Sequence, residues 1–201
     1  MRIIGGKSGG RILKVPKGYD VRPTPGLVKQ AIFNSLGAVV PGATVLELFG
    51  GSGALSLESL SRGAAGAVIV EKSNRTSRMI RENFASLDLQ PNQLELRAQD
   101  AYVAIGQLAE ASRKFDLIFA DPPYGEKNIG KRSESFAQRL LDQERLPELL
   151  IEGGLFVLGH SKRDTLDLPP VWRERKVLKH GDSIIRILER NQPTTHSNAP
   201  I

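Results

Sequence analysis

The stretch Ala43-Thr44-Val45-Leu46-Glu47-Leu48-Phe49-Gly50-Gly51-Ser52-Gly53 decides the fold. A short apolar run ends in a turn with three glycines, and residues at about 53–62 then follow a helical pattern. A strand, a tight glycine turn and a helix in succession open a βαβ unit. Further strand-like runs recur at 66–71, 93–97, 115–120 and 154–159. Helical stretches fall between them, at about 73–88, 101–112 and 133–150. This alternation predicts a parallel sheet with helices on both faces.

Both ends of the chain depart from that rhythm. Residues 1–15 read as a hairpin, with Arg2-Ile3-Ile4 and Arg11-Ile12-Leu13-Lys14-Val15 flanking a glycine-rich turn. Pro16 to Pro23 is a linker, and Thr24-Pro25 resembles a helix N-cap followed by proline at the first helical position. Leu27, Val28, Ala31, Ile32 and Leu36 then line one helical face, which Gly37 and Pro41-Gly42 end. At the far end, Trp172 to Leu178 and Ser183 to Glu189 flank His180-Gly181-Asp182, a closing antiparallel hairpin. The organisation expected is a basic arm (1–22), one domain (23–190) and a polar disordered tail (191–201).

The chain has 201 residues and no cysteine, which excludes disulfides, thiolate metal sites and cysteine nucleophiles. His160, His180 and His196 are too scattered in sequence to suggest a metal site, and none is expected. With neither an apolar membrane span nor a signal-peptide pattern, a soluble cytoplasmic protein without membrane association is expected. The formal net charge is +6. Residues 1–40 hold Arg2, Lys7, Arg11, Lys14, Lys17, Arg22 and Lys29 against Asp20 alone, so the whole surplus lies there. Clustered cations of this kind suit a phosphate backbone, because binding releases counterions.

Four sites along the strand ends carry chemistry. The glycine turn lets the backbone approach a ligand, although structural turns and dinucleotide-binding loops look alike. Glu47 separates them. A carboxylate there can hold the ammonium of S-adenosylmethionine, directly or through water, and would not help hold a pyrophosphate. Glu71, at the end of the second strand, can accept both ribose hydroxyls of an adenosine. Asp100, after the third, stands where adenine-edge contacts are expected and also suits a helix N-cap before Ala101.

Asp121-Pro122-Pro123-Tyr124 follows the fourth strand. Two prolines fix the backbone and remove two donors. Carbonyls, a carboxylate and an aromatic ring remain, which suits a planar amine. The exocyclic nitrogen of a nucleobase is a poor nucleophile because its lone pair is delocalised. Asp121 and the Pro122 carbonyl can accept its two protons, and Tyr124 can stack on the base.

Glu47 to Gly53, Glu71, Asp100 and Asp121 to Tyr124, in that order, resemble class I S-adenosylmethionine-dependent methyltransferases. More closely, the chain resembles the RsmD-like bacterial 16S rRNA (guanine-N2-)-methyltransferases. Met1-Arg2-Ile3-Ile4-Gly5-Gly6, Arg22-Pro23-Thr24, Ala31-Ile32-Phe33-Asn34 and His160-Ser161-Lys162 add to the likeness, which runs to about residue 190. The resemblance implies a Rossmann-like α/β fold: a mostly parallel seven-stranded sheet with an antiparallel last strand. It also implies S-adenosylmethionine as donor, S-adenosylhomocysteine as product and guanine N2 of 16S rRNA as acceptor. The expected substrate is an assembled or assembling small subunit, and the expected enzyme is a monomer.

On this reading the cofactor is held by Thr24, Glu47, Phe49, Gly51, Gly53, Glu71, Lys72, Asp100, Ala101 and Asp121. Asp121, Pro122, Pro123 and Tyr124 form the catalytic set. Arg2, Lys7, Arg11, Lys14, Arg22, Lys127, Lys131 and Arg132 contact RNA. Family members usually carry Asp at Glu47, Ala at Gly50 and an acid at Gly159, and the stretch after Tyr124 is longer than typical. The same site chemistry also suits adenine N6, cytosine N4 or a protein glutamine amide. A non-catalytic rRNA-binding assembly factor is the alternative from another class.

Overall fold

Strands β1 (Thr44–Leu48), β2 (Gly66–Val70), β3 (Leu94–Arg97), β4 (Phe115–Ala120) and β5 (Leu150–Ser161) pair in parallel. β6 (Trp172–His180) and β7 (Ser183–Arg190) complete one seven-stranded sheet of order β3-β2-β1-β4-β5-β7-β6. β7 lies antiparallel between β5 and β6, as the closing hairpin requires. The structure is a computed structural model and describes residues 1–16, 26–124 and 132–191.

Helices α1 (Gly26–Leu36), α2 (Ala54–Ser61), α3 (Asn74–Ala85), α4 (Ala101–Glu110) and α5 (Phe136–Leu141) cover the sheet on both faces. Alternation along the strands divides the core. Val45, Leu117 and Phe119 pack on one face with Ile32, Leu57 and Leu60 of α1 and α2. Leu46, Leu48, Ile118 and Phe156 pack on the other with Ile105, Leu108 and Leu140 of α4 and α5. Burial on both faces is why these strands read as continuous apolar runs.

One expected helix is largely absent. Of 133–150, only Phe136–Leu141 is α-helical, with a 3₁₀ turn at Pro147–Leu149. Leu140, Leu141, Leu146 and Leu149 are all buried, so their spacing imitates a helical face. The α-helix ends at its C-cap, Asp142, and Pro147 opens the 3₁₀ turn. β5 then starts at Leu150, earlier than the 154–159 run suggested. Its pairing with β4 slips between Phe115↔Leu150 and Leu117↔Leu155. Gly153, with φ of 73°, lies in this irregular stretch.

The N-terminal hairpin closes on an antiparallel bridge between Arg2 and Ile12, with the Ile3 amide bonding Arg11 O at 2.9 Å. Ile3 and Leu13 are buried in the same core as α1 and α2. Glu58 on α2 holds the hairpin down. Its carboxylate accepts from the amides of Ile4 (2.7 Å) and Gly5 (2.8 Å), from Lys29 Nζ (2.9 Å) and from Arg62 Nε (2.8 Å). The Glu58 and Lys29 side chains are fully buried, and the cations and amides together hold this carboxyl below the usual range against its own desolvation. Asn83 on α3 holds the other strand, accepting from Lys14 N at 2.8 Å and donating to Lys14 O at 2.9 Å.

Candidate active site

The carboxyl ends of β1 and β4 lie level, and β5 runs past them to Ser161. Glu47 pairs with Phe119, Leu48 with Ala120, and Ala120 with Leu158. The sheet order reverses direction between β1 and β4, where open α/β sheets bind ligands. The glycine turn and Asp121-Pro122-Pro123-Tyr124 therefore emerge side by side.

The turn after β1 is tight. Phe49, Gly51 and Gly53 all have positive φ, at 57°, 53° and 73°. For Phe49 this is uncommon and mildly strained, whereas glycine adopts it freely. The Gly53 amide bonds Gly50 O at 2.7 Å, and the Gly50 amide bonds Val70 O at 2.9 Å. A Cβ on Gly50 would come to 2.5 Å from Ile69 Cγ2, so a side chain here requires Ile69 to shift.

Gly53 offers no side chain to cap α2, and Glu47 does so from β1. Its carboxylate accepts from Ser56 N at 2.8 Å and, more weakly, from Leu55 N at 3.4 Å. Glu47 is buried, and desolvation pushes its carboxyl up to about 7. The Ser56 and Leu55 hydrogen bonds pull the other way, and the negative charge of Asp121 adds to the rise.

Glu71 bridges two loops. One oxygen accepts from Gly51 N at 2.9 Å and the other from Ser73 N at 2.8 Å. The carboxylate is thus fixed in orientation, and each oxygen keeps a lone pair for a further donor. Asp100 caps α4 by accepting from Tyr102 N at 2.9 Å, and Lys72 reaches it at 3.4 Å. Ala101, the first residue of α4, is buried. Phe49 meets the rings of Tyr102 and Phe136 at centroid distances of 6.3 and 5.7 Å, and Arg139 lies 4.6 Å over Tyr102. Tyr102, Phe136 and Arg139 carry no motif in the sequence.

Pro122 is buried while Pro123 and Tyr124 are exposed. The Tyr124 hydroxyl hydrogen-bonds Ser183 Oγ on β7 at 2.8 Å, a partner more than fifty residues away with no signal in the sequence. Asp121 lies beside Gly159 on β5: a Cβ there would overlap Oδ1 of Asp121 and stand 3.1 Å from its Cγ. His160, next in the strand, is buried. Arg186 Nε donates to its Nε2 at 3.1 Å, and burial with the Arg186 charge lowers its pKa.

The carboxylate set fits S-adenosylmethionine. Three acids, Glu47, Glu71 and Asp100, rise from successive strand ends around a glycine loop, and they suit a cationic nucleoside better than a pyrophosphate. Among the described residues no group of three or more His, Asp or Glu could hold a metal ion. Thr24, Arg22, Lys127 and Lys131 lie outside the described residues.

Several basic residues lie differently from the sequence reading. Lys29 belongs to the N-terminal surplus, yet it is fully buried against Glu58 and the Arg2 carbonyl and presents no charge to a partner. Arg132 binds Asp142 at 2.6 Å and Asp167 at 3.4 Å, so its charge is taken up beside α5. Arg2, Lys7, Arg11 and Lys14 are exposed, and Lys14 pairs with Glu82 at 2.8 Å. Asn191, the first residue of the expected tail, is anchored to Val171 O at 2.7 Å and Pro170 O at 3.1 Å.

Residues 1–189 match a family model described as conserved hypothetical protein 95. A Bacillus subtilis protein named "Putative rRNA methyltransferase YlbH" is 34% identical over 169 residues, 84% of this chain and 86% of that one. Ribosomal RNA small subunit methyltransferase D of Escherichia coli K12 is 39% identical over 128 residues, 62% of this chain and 60% of that one. A solved Escherichia coli structure, "Putative methyltransferase yhhF", superposes with a TM-score of 0.78 at 26% identity, covering 96% of this chain and 99% of that one. The glycine turn, the three strand-end acids and Asp121 to Tyr124 thus sit on the fold those proteins share, and the chain belongs to the RsmD-like family of class I methyltransferases.

Proposed function

We propose that this chain transfers the methyl group of S-adenosylmethionine to N2 of a guanine in 16S rRNA. The observation that carries the reading is Asp121-Pro122-Pro123-Tyr124 emerging beside the glycine turn at the point where the strand order reverses. The names of the relatives support rRNA of the small subunit as substrate. The same reading places the enzyme in the cytoplasm as a monomer acting on an assembled or assembling subunit. No helix among the described residues is long and apolar enough to cross a membrane.

Glu71 accepts the ribose hydroxyls, and its two amide contacts hold it ready for them. Asp100 and Ala101 meet the adenine edge, and Phe49, Lys72 and Thr24 border the cofactor. Glu47 and Asp121 repel one another, so a cationic ammonium held by Glu47 relieves an existing cost. When bound, S-adenosylmethionine supplies an electrophilic methyl group on sulfur. Asp121 and the Pro122 carbonyl accept the two protons of the flipped guanine's N2, which orients its lone pair at that methyl. The methyl would pass from sulfur to N2, releasing S-adenosylhomocysteine, and Asp121 or water would take the proton that N2 gives up. Pro123 keeps the loop rigid and Tyr124 stacks on the base. The protein's contribution is mainly proximity and orientation. Arg2, Lys7, Arg11 and Lys14, with Arg22, Lys127 and Lys131, complete the proposed RNA contacts, and Arg132 is held by Asp142 instead.

The test is tritiated methyl transfer to small subunits from cells lacking the gene, followed by identification of the labelled base. N2-methylguanine is expected, and labelled N6-methyladenine, N4-methylcytosine or protein would overturn the acceptor. Asp121→Ala should abolish transfer while S-adenosylmethionine still binds. Turnover near wild type would remove Asp121 from the mechanism.

A further inference from the structure

Helix α3 carries Arg75, Arg78 and Arg81, all exposed and spaced three residues apart. Elsewhere on the surface the exposed Arg132 has Asp142, and Arg173 and Arg175 share Glu189. The three on α3 have no ion pair among the described residues. The acid on this helix, Glu82, is taken by Lys14.

The helix gains nothing locally from this arrangement. Its first turn holds no acid, and Arg75, its second residue, sits at the positive end of the helix dipole. Neighbouring like charges one turn apart repel, a cost of a few tenths of a kcal/mol per pair. Three exposed cations at successive turns of one helix, with no acidic partner among the described residues, concentrate positive charge where the helix itself gains nothing from it.

Their surroundings name the chemistry of a partner. Asn83 ties α3 to Lys14 of the hairpin, and Ser61 on α2 accepts from the Lys7 amide at 2.8 Å. The hairpin cations Arg2, Lys7 and Arg11 also lack ion pairs among the described residues, so hairpin and helix form adjoining basic surfaces. Arg75 follows the Glu71 loop, and Arg81 lies about 9 Å further along the axis. We infer that α3 is a phosphate-binding ridge that extends the RNA contact from the hairpin to the edge of the cofactor cleft. This rests on RNA as the partner of the active site.

The test measures binding of the full chain to small ribosomal subunits, and to their extracted rRNA, across salt concentration. Arg75→Gln, Arg78→Gln and Arg81→Gln combined should reduce the slope of log affinity against log salt by about two to three. The matching triple Lys variant should keep most of the slope, and both variants should bind S-adenosylmethionine as wild type does. An unchanged slope in the Gln variant, with wild type binding normally, overturns the ridge alone. Failure of wild type to bind either RNA overturns the RNA reading itself. Anionic phosphatidylserine vesicles form a separate arm: if the Gln variant loses vesicle binding and keeps RNA binding, the ridge is a lipid surface and the inference falls.

Discussion

Gly159 on β5 is the seat of the Asp121 carboxylate: any side chain at Gly159 would occupy the space that Oδ1 fills. The two residues lie level, Asp121 just past the end of β4 and Gly159 within β5, because Ala120 pairs with Leu158 immediately before them. Gly159→Ala should therefore push Asp121 from its position and leave Glu71 and the glycine turn untouched. Since a displacement of about 1 Å costs about 100-fold in rate, methyl transfer should fall by about that factor. Calorimetry should show that S-adenosylmethionine still binds, because Glu71 and the glycine turn keep their places. A variant with normal turnover would show that Asp121 tolerates the intrusion.

Tyr124 is tethered through its hydroxyl to Ser183 and presents its ring to solvent beside the acceptor site. Tyr124→Ala should lose the stacking of a target base, worth about 1–3 kcal/mol, a fall of about 5- to 150-fold in kcat/KM. Tyr124→Phe keeps the ring and loses the tether, so its deficit should be much smaller. Steady-state kinetics on small subunits would separate the two, and equal deficits would argue against stacking.

Glu47 gives the fold a pH dependence of unusual sign for a carboxylate. Its proton is retained in the folded protein up to about 7, whereas the unfolded chain releases it near 4.5. The folded state binds the extra proton across that window. Stability from this group is full below the window and falls as pH rises through it, by up to about 3 kcal/mol. Glu47→Gln should remove this component. Urea midpoints at acidic and mildly alkaline pH would reveal it as a smaller loss in the variant.

The Lys29–Glu58 pair anchors the hairpin from beneath. Lys29→Met leaves a buried carboxylate short of a cation and should cost about 3–5 kcal/mol in stability. Glu58→Gln weakens the anchor of the Ile4 and Gly5 amides, which hydrogen exchange can read directly. Those two amides should exchange faster in the variant while the strand amides of β1 and β4 stay protected. Unchanged exchange at Ile4 and Gly5 would show that the packing of Ile3 and Leu13 suffices to hold the hairpin.

The order of strands and helices was legible from residue 43 onward, because doubly buried parallel strands must be short apolar runs and the helices between them must be amphipathic. The placement of the strand-end acids was equally legible: Glu47 stands near the end of β1, Glu71, Asp100 and Asp121 each follow a strand, and a parallel sheet brings every such end to one edge. The segment at 133–150 was misread because buried leucines in an irregular stretch copy a helical spacing.

The tertiary structure decided everything that depends on distance across the chain. Lys29 counts as a surface charge until its burial against Glu58 is known. The arginines of α3 count as balanced until they are seen without an ion pair among the described residues, since the body beyond residue 40 has equal numbers of acids and bases. Gly159 shows its role only when Asp121 fills the space above it. Local pattern records which face a residue presents and where a strand ends. Pairing, desolvation and steric room depend on neighbours contributed by remote elements, and only folding brings those together.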